Sequence, residues 1–268
     1  MYIPISRPIS ERFVFADIDG TILTSDHSVS RSTSDTCRAL YEQRVRLILA
    51  SARMPASILK IQRNLGVREA MICYNGSLIL DRDGVTIYNR CFCSDTFLEV
   101  LNTISEHPVS NSFFSEQHWL VKAIDSRIRQ ESDIVGILPE VGQISAVTDC
   151  TNKILCIGSP SQVHKLYEDI KSSGLDVIAE KSKPTYLEIS PSGSGKFEAC
   201  KFFLNHFHSP AEKAYAIGDG ENDIGMFQCV GVAIAMGNAT DSVKSVAQYV
   251  TASNDNEGFS LAMRNYVF

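Results

Sequence analysis

Two stretches of this chain alternate short, almost wholly apolar runs with segments of helical spacing, and no other feature restricts its fold so tightly. Toward the N-terminus the runs are RFVFA, ending just before Asp17, VRLILA, ending at Ala50, and AMICY, ending at Tyr74. Between them SDTCRALYEQR spaces its apolar residues as a helix does, and a second helix is opened by Pro55 and closed by Gly66. The pattern returns near the C-terminus. It predicts a helix from about Gly195 to Phe207, the strand KAYAIG, a helix through Met226 and Phe227, the strand GVAIAMG, a helix near Asp241 to Ala247, and the strand QYVT. A strand that is apolar on both sides of its pleat must be covered on both faces. The expectation is therefore an α/β fold with a doubly wound, mostly parallel sheet.

The middle of the chain reads differently. SLILDRDGVTIYN is two strand-like runs about an Asp-Gly hairpin signal. A helix from about Asp95 to Glu106 follows, then short strands around Phe113 and Trp119, the strand NKILCIG, a helix from Ser159-Pro160 to before Gly174, and the strands LDVIAE and TYLEIS. This is the pattern of a mostly antiparallel sheet with helices on one side. It places an α+β domain at residues 81–189, inserted into a core made from residues 1–80 and 190–268. A chain of 268 residues is long enough for that division. The segment MYIPISRPISER ahead of the first run reads as an extension without a signal-peptide core.

Charge and cysteine usage exclude several functions. The net charge of −6 leaves no basic footprint for nucleic acid and suits a soluble, cytoplasmic protein. No apolar run approaches the ~20 residues that span a bilayer, so no membrane partner is expected. The eight cysteines include no CxxC pair, which argues against a zinc site and for reduced thiols of an intracellular protein.

In an open parallel sheet, ligands bind beyond the carboxyl ends of the strands. At those ends this sequence places Asp17 and Asp19 after the first run, Ser51 and then Arg53 after the second, and Asp219 within Gly218-Asp219-Gly220-Glu221-Asn222-Asp223. One lysine, Lys196, opens the helix that leads into the last of these strands. Carboxylates converging on one point repel unless a hard cation sits among them, and Mg²⁺ suits such oxygen ligands. Carboxylates, a hydroxyl and a lysine are also the groups that phosphoryl transfer uses: a nucleophile, a proton carrier and charge stabilisers.

The string Asp17-x-Asp19-Gly20-Thr21 after an apolar strand, a hydroxyl at Ser51, the lone Lys196 and Gly218-Asp219-x-x-Asn222-Asp223 resemble the motif set of the haloacid dehalogenase superfamily phosphatases. The inserted middle domain and the ICYNG segment ahead of it are similar to the Cof-type subfamily, with its type IIB cap. The resemblance covers essentially the whole chain after Arg12. It implies a Mg²⁺-dependent hydrolase of small phosphomonoesters, such as sugar phosphates or phosphorylated cofactors, working through an aspartyl-phosphate. It implies that Asp17 is the nucleophile and a metal ligand. Asp19 is then the general acid/base, with its backbone carbonyl on the metal, and Asp219 and Asp223 complete the metal site. Ser51 and Lys196 bind the phosphoryl group, with the N–H groups of Ile18 and Ala52 and the side chain of Asn222. Ser51-Ala52-Arg53 stands where Thr-Gly-Arg is commoner, and Phe197 where glycine often follows the lysine.

Other readings of the same motifs are a sugar-phosphate mutase with the same carboxylate pair, or an inactive ligand sensor on this fold. A nucleotide P-loop around Ser192-Gly193-Ser194-Gly195-Lys196 is excluded by Ser190 and Phe197, which stand where a glycine and a Ser or Thr are needed. An EF-hand at Gly218 is excluded by the missing glutamate at its twelfth position. His206 and His208 are expected at the surface. Trp119 is expected in the core or at the surface of the middle domain, with a place facing substrate as the alternative.

Overall fold

A computed structural model describes residues 11–144 and 150–268, so residues 1–10 of the N-terminal extension lie outside it. In chain order the first part runs β1 (Arg12–Ala16), α1 (Arg31–Glu42), β2 (Val45–Ala50), α2 (Pro55–Leu65), β3 (Met71–Cys73), β4 (Leu78–Leu80) and β5 (Thr86–Asn89). The middle holds α3 (Ser94–Ser105), β6 (Ser110–Ser115), β7 (His118–Val121), α4 (Ser126–Val135) and β8 (Glu140–Val141). It continues with β9 (Lys153–Ile157), α5 (Pro160–Ser172), β10 (Val177–Lys183) and β11 (Tyr186–Pro191). The last part is α6 (Lys196–His206), β12 (Ala214–Gly218), α7 (Ile224–Phe227), β13 (Val232–Ala235), α8 (Asp241–Val246), β14 (Tyr249–Val250) and α9 (Gly258–Tyr266).

The larger sheet has the order β14-β13-β12-β1-β2-β3-β4-β5. It is parallel from β14 to β3, and β4 and β5 add an antiparallel edge. The Asp-Gly hairpin forms as its sequence suggests, with Gly84 at φ 84°, and it extends this sheet past residue 80. Alternation along each strand divides the core in two. Val14, Ala16, Leu47 and Leu49 face α1, α2 and α9, whose Leu40, Ile58 and Met263 close that side. Phe13, Phe15, Ile48 and Ala50 face α6, α7 and α8, where Phe203 sets its ring edge-on to Phe13 and Phe15 at 5.3 and 5.6 Å. Two buried faces require unbroken apolar strands, and that is why these runs carry almost no polar residue.

The smaller sheet has the order β10-β11-β9-β6-β7-β8 and is antiparallel except for β7 with β8. Helices α3 and α5 cover one face through Phe97, Val100, Val163 and Leu166, packed on Phe113, Ile154 and Leu187. The structure adds α4 on the other face, where Ile128 packs with Phe114, Trp119, Val121 and Leu155. Sequence periodicity gives little sign of α4 because only Ile128 and Ser132 of its residues are buried. Its ends are marked by caps instead. The Asp125 carboxylate accepts from Ile128 N at 2.9 Å, and Gly136 closes the helix at φ 67°. The whole is a mostly parallel α/β core with inserted cap elements. The eight cysteines are free thiols, and among the described residues no helix is long and apolar enough to cross a membrane.

Candidate active site

Strand β1 lies between β2 and β12, so two ends of the chain far apart in sequence become neighbours at the middle of the sheet. Asp17 continues β1 by one residue, its N–H donating to the Ile217 carbonyl of β12 at 3.0 Å. The chain then turns sharply. The amides of Ile22 and Leu23 both donate to the Ile18 carbonyl, at 3.0 and 2.9 Å, and Gly20 supplies φ 78°. A Cβ at Gly20 would collide with the Asp219 carboxylate, so glycine there also makes room for the acid from the neighbouring strand.

Three carboxylates converge on this spot. Asp17, Asp219 and Asp223 each bring an oxygen within 4.8 Å of the others. Lys196, buried at the start of α6, donates from Nζ to Asp17 Oδ1 at 2.6 Å and to Asp223 Oδ1 at 2.5 Å. Asp223 uses its second oxygen on the loop itself, accepting from Asp219 N at 3.0 Å and Gly220 N at 2.9 Å. It thereby holds the Gly-Asp-Gly turn in place. The Thr21 hydroxyl donates to Asp219 Oδ1 at 3.1 Å. Asn238 donates to the other Asp219 oxygen at 3.1 Å.

Burial pushes the Asp17 carboxyl up to about 8, with Asp223 and Asp219 repelling its charge and Lys196 opposing them. Burial and the charge of Asp223 raise Asp219 to about 6. Lys196 would be lowered by its burial, but Asp17 and Asp223 outweigh that and raise it. Asp19 behaves oppositely. Burial alone would raise it, yet the Arg53 guanidinium holds it below the usual carboxylate range. Arg53 grips it with two parallel bonds, Nε to Oδ2 at 2.8 Å and Nη2 to Oδ1 at 2.6 Å.

Ser51 follows directly on β2 and is buried, its N–H bonded to Ile72 of β3 and its carbonyl accepting from Asn75 N at 2.9 Å. Asp17, Asp19, Ser51, Ala52, Asp219 and Asn222 line one cleft of about 1140 Å³ between the core and the smaller sheet. A cavity of about 70 Å³ beside it is lined by Asn75, Lys196 and Asn222, whose side chain donates to Asn75 Oδ1 at 3.2 Å. Ile18 is wholly buried. Trp119 is 2% exposed and stacks on Phe114 at 5.7 Å, and both rings border the cleft. His206 and His208 are exposed.

A family model of the haloacid dehalogenase-like hydrolases matches residues 14–263. The chain belongs to this family. A curated relative from Haemophilus influenzae is 27% identical over 253 residues, covering 93% of this chain and 96% of its own. Phosphatase YwpJ of Bacillus subtilis is 23% identical over 283 residues, covering 95% and 99%. The crystal structure of TM0651 from Thermotoga maritima superposes with a TM-score of 0.87 at 25% identity, covering 96% of this chain and 98% of that one.

For this hydrolase the Asp17, Asp219 and Asp223 cluster is consistent with Mg²⁺-assisted phosphoryl transfer. The donor set is all carboxylate oxygen, the type a hard dication prefers. The cradle is also cut to size, since a Cβ at Gly218 would strike the Asp223 carboxylate as one at Gly20 would strike Asp219. Sequence reasoning gave no site role to Arg53, Asn75, Asn238 or Lys153, all of which meet the site or its loops. Arg53 and Asn75 stand next to motifs already noted. Asn238 and Lys153 carry no such mark, because their place depends on which strands pair.

Proposed function

We propose that this hydrolase is a Mg²⁺-dependent phosphatase of small phosphomonoesters. Asp17 is the nucleophile, held on the rigid end of β1 with one oxygen on Lys196. Its attack on phosphorus forms an aspartyl-phosphate and breaks the bond to the leaving alkoxide. Asp19 gives that alkoxide a proton, then takes one from the water that attacks the aspartyl-phosphate, releasing phosphate and restoring Asp17. Ser51, Lys196, Asn222 and the amides of Ile18 and Ala52 steady the charge on the transferred group. Asp17, Asp219, Asp223 and the Asp19 carbonyl would hold Mg²⁺, which when bound would supply countercharge for the phosphoryl oxygens and the clustered carboxylates. We further propose a core of residues 1–80 and 190–268 and a Cof-type, type IIB cap at 81–189. The separation into two sheets supports an inserted cap, while β5 carries the core sheet on to Asn89 and β11 carries the smaller sheet on to Pro191, past those bounds. The cap then selects the leaving group, a sugar or cofactor skeleton, in a cleft whose volume accommodates one.

The observation that carries this reading is the different setting of the two aspartates. Asp17 is drawn into a cationic and acidic cluster, while Asp19 faces the cleft on an arginine. A screen of phosphomonoesters with Mg²⁺, compared by kcat/KM, is expected to find turnover that Asp17→Asn lowers at least about a thousandfold. No turnover by the unaltered protein on a wide panel counts against the phosphatase, and an active Asp17→Asn counts against the nucleophile.

A further inference from the structure

Lys153 opens β9 and is 6% exposed, a position for an ammonium that requires close partners. Strand register supplies two of them. Lys153 stands directly opposite Phe114 of β6, with Nζ 5.2 Å from the ring centre. Leu155 stands opposite Glu188 of β11, which makes Lys153 and Glu188 diagonal neighbours on one face, paired at 3.3 Å. The third partner lies in the other sheet's loops: Nζ donates to the Ala52 carbonyl at 2.9 Å. An ammonium has three hydrogens, and here Glu188, the Phe114 ring and Ala52 meet it on three sides.

The Ala52 carbonyl belongs to the peptide that joins Ala52 to Arg53. The N–H of that same peptide donates to Ser51 Oγ at 3.3 Å. A full positive charge on the carbonyl oxygen polarises the peptide and strengthens what its N–H donates. A serine oxygen that accepts in this way is left to donate its own hydrogen elsewhere. The geometry points to a relay from Lys153 through the Ala52–Arg53 peptide to Ser51. We propose that Lys153 is a positioning residue that couples docking of the cap to the phosphoryl-binding loop. This rests on the phosphatase reading for the identity of the bound anion. Because the relay crosses from the smaller sheet to the core, it exists only while the two are docked. Separation leaves Ser51 without the polarised amide, so the loop binds phosphate best when the leaving group is already enclosed.

Inorganic phosphate is the probe that isolates this role, because it has no leaving group for the cap to contact. Calorimetric titration of phosphate into the full chain with Mg²⁺ is expected to show about tenfold weaker binding by Lys153→Met. Lys153→Arg, which keeps the charge, is expected to recover most of that loss. Lys153→Gln replaces Lys153→Met if the latter does not fold, with the same weakening expected. In steady state the same variant is expected to raise the inhibition constant of phosphate by the same factor as it lowers kcat/KM for p-nitrophenyl phosphate. Unchanged phosphate binding by a folded, uncharged variant overturns the relay, as does loss of binding in Lys153→Arg equal to that in Lys153→Met. Absence of ester turnover in the unaltered protein, with phosphate binding still sensitive to Lys153, sinks the phosphatase reading and leaves the relay standing.

Discussion

Replacing Lys196 by methionine tests the electrostatics of the site most directly. The methionine fills a similar volume but removes the cation that Asp17 and Asp223 both touch. The lysine side chain is fully buried and those of its partners are 11% and 0% exposed, so water screens the pairs little. Removing one partner of a buried pair typically costs about 3–5 kcal/mol, because the remaining charge is left uncompensated. Here a third carboxylate, Asp219, adds to the repulsion. Against the roughly 5–15 kcal/mol that hold an ordinary domain together, the variant should be visibly less stable.

The sign of its pH dependence follows from the raised carboxyls. A carboxyl whose folded pKa lies above its unfolded value favours the folded state when protonated, and it withdraws stability as pH rises from the unfolded pKa to the folded one. Asp17 at about 8 and Asp219 at about 6 are of this kind. Lys196, itself raised, stays charged throughout this range and offsets the cost as the carboxylates ionise. The deficit of Lys196→Met is therefore expected to be smaller at pH 5, where Asp17 and Asp219 are protonated, and largest above pH 8. Mg²⁺ should recover part of it. Urea denaturation at both pH values, with and without Mg²⁺, reads this from the midpoints at constant slope. A deficit below about 1 kcal/mol at high pH, or one equal at both pH values, would refute the argument.

The same carboxyls should make Mg²⁺ affinity rise with pH between about 6 and 8, because protons must leave before the metal binds; calorimetry in buffers of different ionisation heat detects their release, and a flat profile counts against it. Arg53→Lys loses the paired grip on Asp19, so kcat/KM should fall about tenfold and its basic limb, set by the Asp19 proton that goes to the leaving alkoxide, should move to higher pH, since Asp19 is no longer held so far down. An unmoved limb with lower activity would give Arg53 some other role. Phe203→Ala removes a wholly buried ring packed on Phe13 and Phe15 and should cost about 3–5 kcal/mol in chemical denaturation, leaving Mg²⁺ affinity unchanged in the folded protein.

The sequence by itself determined the layering of the core, since strands such as Phe13–Ala16 and Leu47–Ala50 are legible wherever both faces of a sheet are buried. It also marked the places where β1, β2 and β12 end, and with them Asp17, Ser51 and Asp219. The hairpin at Asp83-Gly84 was equally plain, but its allegiance was not. Only its pairing with β3 made it part of the core sheet. Helix α4 leaves little trace in the sequence because its stability comes from caps and one buried isoleucine rather than from an apolar stripe. Tertiary structure alone decided the pairings between residues distant in sequence. Thr21 turned to Asp219, Asn238 joined the same carboxylate, and Lys153 reached across to Ala52. The physical reason is that motif and periodicity report the backbone's local geometry. A hydrogen bond between loops carried by different strands depends on sheet order and register, which are settled only when the whole core closes.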